Sequence, residues 1–197
     1  MKDKTLYIVS GYMRTGTSMI MKALEEGGMI AEYNQSREKM RLHYADEKYD
    51  PNFGGLYELD VREYRNDDFP RKYKGKLIKA LGRTIPIMRV MPNGIRVVFM
   101  RRDIEEIRQS YLAFFGSNLR NIEGLDKRME DTIEIIKNRK DVLNIDVFWY
   151  REVLQNPQKH FEILKSHNWN INIEKAVRVI DPKYCRYKRE ELIEGVV

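Results

Sequence analysis

The chain is predicted to fold as an α/β protein with a central parallel sheet flanked by helices. Two β-rich apolar runs, residues 5–9 and 95–100, are each followed by a stretch whose apolar residues recur at helical spacing. A third run at 142–148 is again followed by a helical pattern, at 157–167. Strands that alternate with helices are typical of parallel sheets, because each crossover between parallel strands needs a long connection.

The first strand and the first helix have the clearest boundaries. Residues 5–9 are apolar and β-rich, and the strand is expected to end where Gly11 allows an unusual backbone conformation. Residues 17–26 carry a helical apolar face, and the glycines at 27 and 28 supply a stop signal. Residues 32–75 are polar with weak periodicity, which predicts loops and short helices.

The remaining elements follow from the same patterns. Residues 76–80 and 95–100 predict two strands near the centre of the sheet. Asp103 can cap a helix that runs to about residue 115, because its side chain can accept hydrogen bonds from the first backbone N–H groups. Residues 122–139 predict a further amphipathic helix, and Pro157 suits the first position of the helix at 157–167.

Length and composition favour one folded domain that spans the whole chain, residues 1–197. With 42% hydrophobic residues, the chain is too apolar to be disordered. Lysine and arginine exceed the acidic residues by 36 to 30, and the net charge of +6 favours anionic partners. A single cysteine excludes an intrachain disulfide and suits the cytoplasm, while the apolar run at 5–9 is far shorter than the roughly 20 residues that span a bilayer.

The segment from Gly11 to Ser18 has the form of a phosphate-binding loop between a strand and a helix. Such a loop presents backbone N–H groups and a helix N-terminus to an anion. Nucleoside triphosphatases place a lysine directly after the second glycine, where this chain has Thr17. The cationic residue is instead Arg14, two positions before Gly16. The alternative is an ordinary strand-to-helix turn with no ligand.

The run Arg14-Thr15-Gly16-Thr17-Ser18 after an apolar strand resembles the 5′-phosphosulfate loop of the PAPS-dependent sulfotransferases, where PAPS is 3′-phosphoadenosine 5′-phosphosulfate. The resemblance implies a three-layer P-loop fold, PAPS as the sulfuryl donor and its product PAP (adenosine 3′,5′-bisphosphate). It also implies transfer without a metal, since a sulfuryl group carries less negative charge than a terminal phosphoryl group. The implied donor-binding residues in the loop are Gly11, Arg14, Thr15, Gly16, Thr17 and Ser18.

A second segment resembles the 3′-phosphate site of the same family. Residues 97–111 end a strand and start a helix, and the family's arginine and its serine eight positions later match Arg102 and Ser110. The end of a parallel strand is a ligand-binding edge, and a serine two helical turns onward can reach the same phosphate. The neighbouring pair, Arg101 with Gln109, is a poorer match.

Catalytic candidates rest on weaker matches. Residues 50–58 resemble a segment found in bacterial and viral members of the family, which makes Glu58 the candidate base, with His43 and then Asp60 as alternatives. Lys79, at a predicted strand end, resembles a lysine that stabilises the transferring group together with Arg14, although an exposed surface lysine fits the sequence equally well. The acceptor, a small molecule or a glycan with a hydroxyl or amine, cannot be read from these residues.

Two other functions compete with sulfuryl transfer. A divergent P-loop nucleotide kinase shares the strand, the loop and the helix, but Thr17 replaces the lysine that it needs. A non-catalytic relative that binds PAP or nucleic acid is also compatible with the basic composition. Basic and acidic residues alternate along nearly every segment, which argues against the one-sided basic surface of a nucleic-acid-binding protein.

Overall fold

The computed structural model describes residues 4–36, 38–39, 55–117, 119 and 122–181. Within these residues the sheet has four strands, all parallel: β1 (Leu6–Gly11), β2 (Leu77–Lys79), β3 (Ile95–Arg101) and β4 (Val142–Trp149). Their order across the sheet is β2-β1-β3-β4, so β1 lies between β2 and β3. The register pairs Ile8 with Ile78 on one side and with Val97 on the other.

Helices connect and flank these strands. In chain order they are α1 (Thr17–Glu26), α2 (Phe69–Tyr73), α3 (Ile104–Phe115), α4 (Leu125–Lys137), α5 (Tyr150–Gln155), α6 (Pro157–Ser166) and α7 (Ile173–Val177). Two short 3₁₀ helices, Glu63–Arg65 and Ile85–Ile87, lie in the connections around β2. Among the described residues, none of the helices is both long and apolar enough to cross a bilayer.

The sheet separates two hydrophobic cores. On one face, Val9 of β1 packs with Leu24 of α1, with buried residues of α5, α6 and α7, and with Trp169, which lies between α6 and α7. On the other face, Ile8 of β1 packs with Phe99 of β3 and Met129 of α4. Because successive strand residues point to opposite faces, an apolar run such as β1 can serve both cores at once. This arrangement confirms the predicted α/β fold with helices on both faces of a parallel sheet.

The predicted elements agree with the observed ones to within a few residues. The prediction for α1 is confirmed at both ends, and Gly27 caps its C-terminus. Asp103 caps α3 as expected, because its carboxylate accepts hydrogen bonds from the backbone N–H groups of Glu105 and Glu106. Of the polar stretch 32–75, the described part holds helical residues at 35–36 and 38–39, α2 and one 3₁₀ helix, which agrees with loops and short helices.

All four strands run in the same direction, so their carboxyl ends lie at one edge of the sheet. Gly11, Lys79, Arg101 and Trp149 are the last residues of the four strands. In open parallel sheets, ligands bind outside this edge. The loop after β1 and the start of α3 are therefore placed side by side at the edge where a ligand is expected.

Candidate functional site

The loop between β1 and α1 turns sharply at the carboxyl edge of the sheet. Gly16, the N-cap of α1, has a φ of 95°, and Arg14 has a φ of 68°. The Thr15 hydroxyl donates to the Tyr12 carbonyl at 2.8 Å and closes the turn. No side chain among the described residues caps the helix, and its first turn holds no acidic residue. The N–H groups at the start of α1 can therefore serve an anion.

Two glycines of this loop are required by close packing. A Cβ on Gly11, whose φ is 145°, would lie 2.8 Å from the Met100 carbonyl oxygen and 2.6 Å from the Thr15 hydroxyl. A Cβ on Gly16 would lie 2.5 Å from a ring carbon of Tyr150. Neither position can accept a side chain without movement of its neighbours, so the loop is pressed against β3 and against the start of α5.

A hydrogen-bonded network joins the loop to the segment after β3. The Arg14 Nε donates to the Ser110 hydroxyl at 2.9 Å. The Arg102 Nη1 donates to the Arg14 carbonyl at 3.1 Å. Arg14 also lies over the ring of Phe114, 5.0 Å from its centre. The structure thus brings together residues of both sequence motifs, which are 88 and 96 positions apart in the chain.

The alternative pair, Arg101 and Gln109, points elsewhere. The Arg101 Nη2 donates to Asp126 on α4 at 2.7 Å, and its guanidinium lies over the ring of Trp149. Gln109 donates to Glu105 on its own helix at 3.0 Å. Because neighbouring residues at the end of a strand face opposite sides of the sheet, only Arg102 reaches the loop. Of the two pairs, Arg102 with Ser110 is the one that the structure brings to the loop.

Lys79 lies buried at the end of β2, only 5% exposed, so its interpretation as a surface lysine is wrong. Its ammonium group donates to the Leu56 carbonyl at 2.7 Å and to the Ser18 hydroxyl at 3.2 Å. Burial lowers the pKa of Lys79 to about 8, although the nearby carboxylates of Glu58 and Glu38 oppose this shift. A cationic ammonium group thus touches the first turn of α1.

The candidate bases differ in their position. Glu58 is partly buried and pairs with Lys79 in a parallel bridge, which adds one more extended segment beside β2. Asp60 is exposed, and its carboxylate accepts from the backbone N–H of Arg62. His43 lies outside the described residues. Of the two candidates that the structure describes, Glu58 is the one adjacent in the sheet to the lysine that contacts the loop.

Three residues of this site were missed by sequence reasoning. Glu106 on α3 is fully buried and accepts hydrogen bonds from the Nε of Arg102, at 2.8 Å, and from the Nε of Arg151. The Arg102 guanidinium stacks on the ring of Tyr150, 4.2 Å from its centre. Glu106 stands four positions after Arg102, in the first turn of α3, so the short sequence separation could have suggested the pair. Tyr150 and Arg151 come from the start of α5, in a segment whose resemblance to a strand-to-helix motif of the family assigned neither residue a role.

Comparison with known proteins leaves the family open. No family model matches the chain, and no curated protein matches it. Seven chains among the solved structures match. One of them is an unliganded sugar kinase from Janibacter sp. HTCC2649, at 13% identity and a TM-score of 0.45, over 90% of this chain and 99% of that one. A likeness at this level identifies neither a family nor an activity.

Proposed function

We propose that this protein is a PAPS-dependent sulfotransferase. In this reaction the bond between sulfur and the bridging phosphate oxygen breaks, and a new bond forms between sulfur and a hydroxyl or amine of the acceptor. The products are the sulfated acceptor, PAP and one proton. The observation that carries the proposal is the network of Arg14, Ser110 and Arg102, which joins the two segments that resemble the 5′ and 3′ sites of the donor.

The residues present suit the two ends of the donor. On the 5′ side, the N–H groups at the start of α1, the hydroxyls of Thr17 and Ser18 and the Arg14 guanidinium would hold the phosphosulfate. On the 3′ side, Arg102 and Ser110 would hold the phosphate. Charge-assisted hydrogen bonds from arginine are about twice as strong as neutral ones, which favours a nucleotide with an anionic group at each end over a neutral ligand.

The chemistry requires donors at the leaving oxygen and a base for the acceptor proton. Lys79 and Arg14 are cations beside the loop, where they would stabilise the negative charge that develops on the departing phosphate oxygen. Glu58 would take the proton from the acceptor, since it is adjacent to Lys79 in the sheet. The two roles are complementary, because the lysine donates to the leaving group while the carboxylate accepts from the nucleophile.

Calorimetry with PAP tests the binding site. The wild-type protein should release or absorb heat on PAP binding, and Arg14→Ala or Arg102→Ala should weaken the affinity by about ten- to a hundredfold each, as expected for lost charge-assisted hydrogen bonds. The matched control is Arg71→Gln on α2, an exposed arginine that pairs with Asp68 and lies in the connection that leads into the start of β2. No heat with PAP, or equal affinity in all variants, would contradict the site assignment.

A screen for sulfate transfer tests the activity. Labelled PAPS is incubated with pooled hydroxyl and amine compounds, including glycans, in the presence of EDTA, and labelled products are separated from the donor. Transfer by the wild type supports the proposal. A protein that binds PAP and modifies no acceptor would be a non-catalytic relative. Magnesium-dependent ATP binding without affinity for PAP would instead identify a nucleotide kinase.

A further inference from the structure

The buried carboxylate of Glu106 holds two arginines that come from different parts of the chain. The Oε2 atom accepts from the Nε of Arg102, which follows β3, and Oε1 accepts from the Nε of Arg151, in the first turn of α5. Glu106 itself is 0% exposed. Because the two oxygens belong to one carboxylate, the two guanidinium groups are close neighbours.

The paired guanidinium groups suit a phosphate. Arg102 follows β3, and its Nη1 donates to the Arg14 carbonyl, so one guanidinium of the cluster lies against the phosphate-binding loop. Arg151 places a second guanidinium on the other oxygen of the same carboxylate. The planar guanidinium fork matches phosphate oxygens in charge and geometry. A 3′-phosphate, with about 1.5 to 2 negative charges at pH 7, can accept hydrogen bonds from both groups.

The two arginines of this cluster differ in their exposure to solvent. The Arg102 side chain is only 7% exposed, whereas the Arg151 side chain is 38% exposed. Tyr150 covers Arg102 with its ring and fills the space beside Gly16. The tyrosine thus anchors the start of α5 against the loop, and this places the next residue, Arg151, at the solvent side of the same cluster.

From this geometry we infer that Arg151 determines specificity for a nucleotide with a 3′-phosphate. In this inference, Arg151 and Arg102 together donate to the doubly charged 3′-phosphate, and Glu106 is a positioning residue that keeps the two guanidinium groups side by side. The inference rests on the proposed function, since it assigns a role within the same donor site. Neither sequence motif includes Arg151, which lies about 50 residues after Arg102.

The test compares PAP with adenosine 5′-monophosphate (AMP), which lacks the 3′-phosphate, by calorimetry or by competition. In Arg151→Gln, the dissociation constant for PAP should rise about ten- to a hundredfold, and the preference for PAP over AMP should fall by a similar factor. Arg151→Lys keeps the charge but loses the planar fork, so it should recover part of the preference. Glu106→Gln should also lower the preference, because the amide keeps a single acceptor oxygen and cannot hold both guanidinium groups side by side.

The controls separate this inference from a purely structural role. Arg71→Gln removes an ion-paired arginine that makes none of the contacts of the site, and it should leave the preference for PAP as in the wild type. Thermal unfolding of each variant shows whether it is folded. An equal loss for PAP and AMP in Arg151→Gln, with no recovery in Arg151→Lys, would mean that the cluster only ties α3 to α5. A wild type that does not bind PAP would overturn the proposed function and this inference together.

Discussion

Replacement of Gly16 by alanine tests how closely the loop is packed against α5. The backbone at Gly16 has a φ of 95°, a region that L-residues rarely adopt. The added Cβ would also lie 2.5 Å and 2.9 Å from two carbons of the Tyr150 ring. The Arg102 guanidinium, 4.2 Å from the ring centre, limits how far that ring can withdraw.

The expected destabilisation has two parts. The left-handed backbone costs a non-glycine residue about 1–2 kcal/mol. Overpacking against a buried ring costs about 1–3 kcal/mol more. The sum of about 2–5 kcal/mol corresponds to a drop in Tm of about 4–20 °C for a chain of this size. Thermal and urea unfolding, monitored by circular dichroism, measure the drop in Tm and the loss of unfolding free energy.

A matched glycine separates the two parts. Gly28 has a φ of 100°, and a Cβ there would meet no atom within 4 Å, so Gly28→Ala should show the backbone cost alone. Removal of the ring by Tyr150→Ala should lower the cost of Gly16→Ala by about 1–3 kcal/mol, whereas Tyr150→Phe, which keeps the ring carbons, should not. Equal costs at the two glycines, or no coupling to Tyr150, would refute the packing argument.

Two further predictions concern the polar residues beside β2. Burial lowers the pKa of Lys79 to about 8 from 10.5, so the unfolded chain binds more protons between these values and stability should rise with pH across this interval. Relative to Lys79→Met, the wild type should gain about 3 kcal/mol between pH 8 and 10.5, and parallel pH profiles of the unfolding free energy would contradict a buried ammonium group. Glu58→Gln should keep the affinity for PAP but lower turnover about 10²–10⁴-fold, because the amide has no basicity. If the Glu58→Gln enzyme is fully active in the sulfate transfer assay, then His43 or Asp60 is the base instead of Glu58.

The longer elements of the fold could be predicted because their signals are local. The apolar run of β1, the glycines after α1 and the Asp103 cap each depend on a few neighbouring residues, and each was confirmed. The short helices α2 and α7, of five residues each, were not identified individually. Helices of this length have too few turns to show a period, and their stability comes from packing rather than from their own sequence.

The candidate site could be predicted only in part. The sequence of the loop and the spacing of Arg102 and Ser110 were visible, and the structure brings these residues together. The burial of Lys79 was not visible, because a lysine at a strand end is compatible with both a surface and a buried position until the covering segment at Leu56 is known. The role of Tyr150 depends on α5 docking against the loop, and such long-range contacts leave no periodic pattern.

The contacts of the loop also determine when the site can form during folding. Gly16, Arg102 and Tyr150 meet only after three distant parts of the chain have closed on one another. Contacts of such high sequence separation form slowly, because the loop-closure entropy must be overcome first. During synthesis the proposed nucleotide site can be completed only once α5 has left the ribosome. On the proposed function, affinity for PAP is therefore a measure of complete folding, and bound PAP would stabilise the finished chain over every partly folded form.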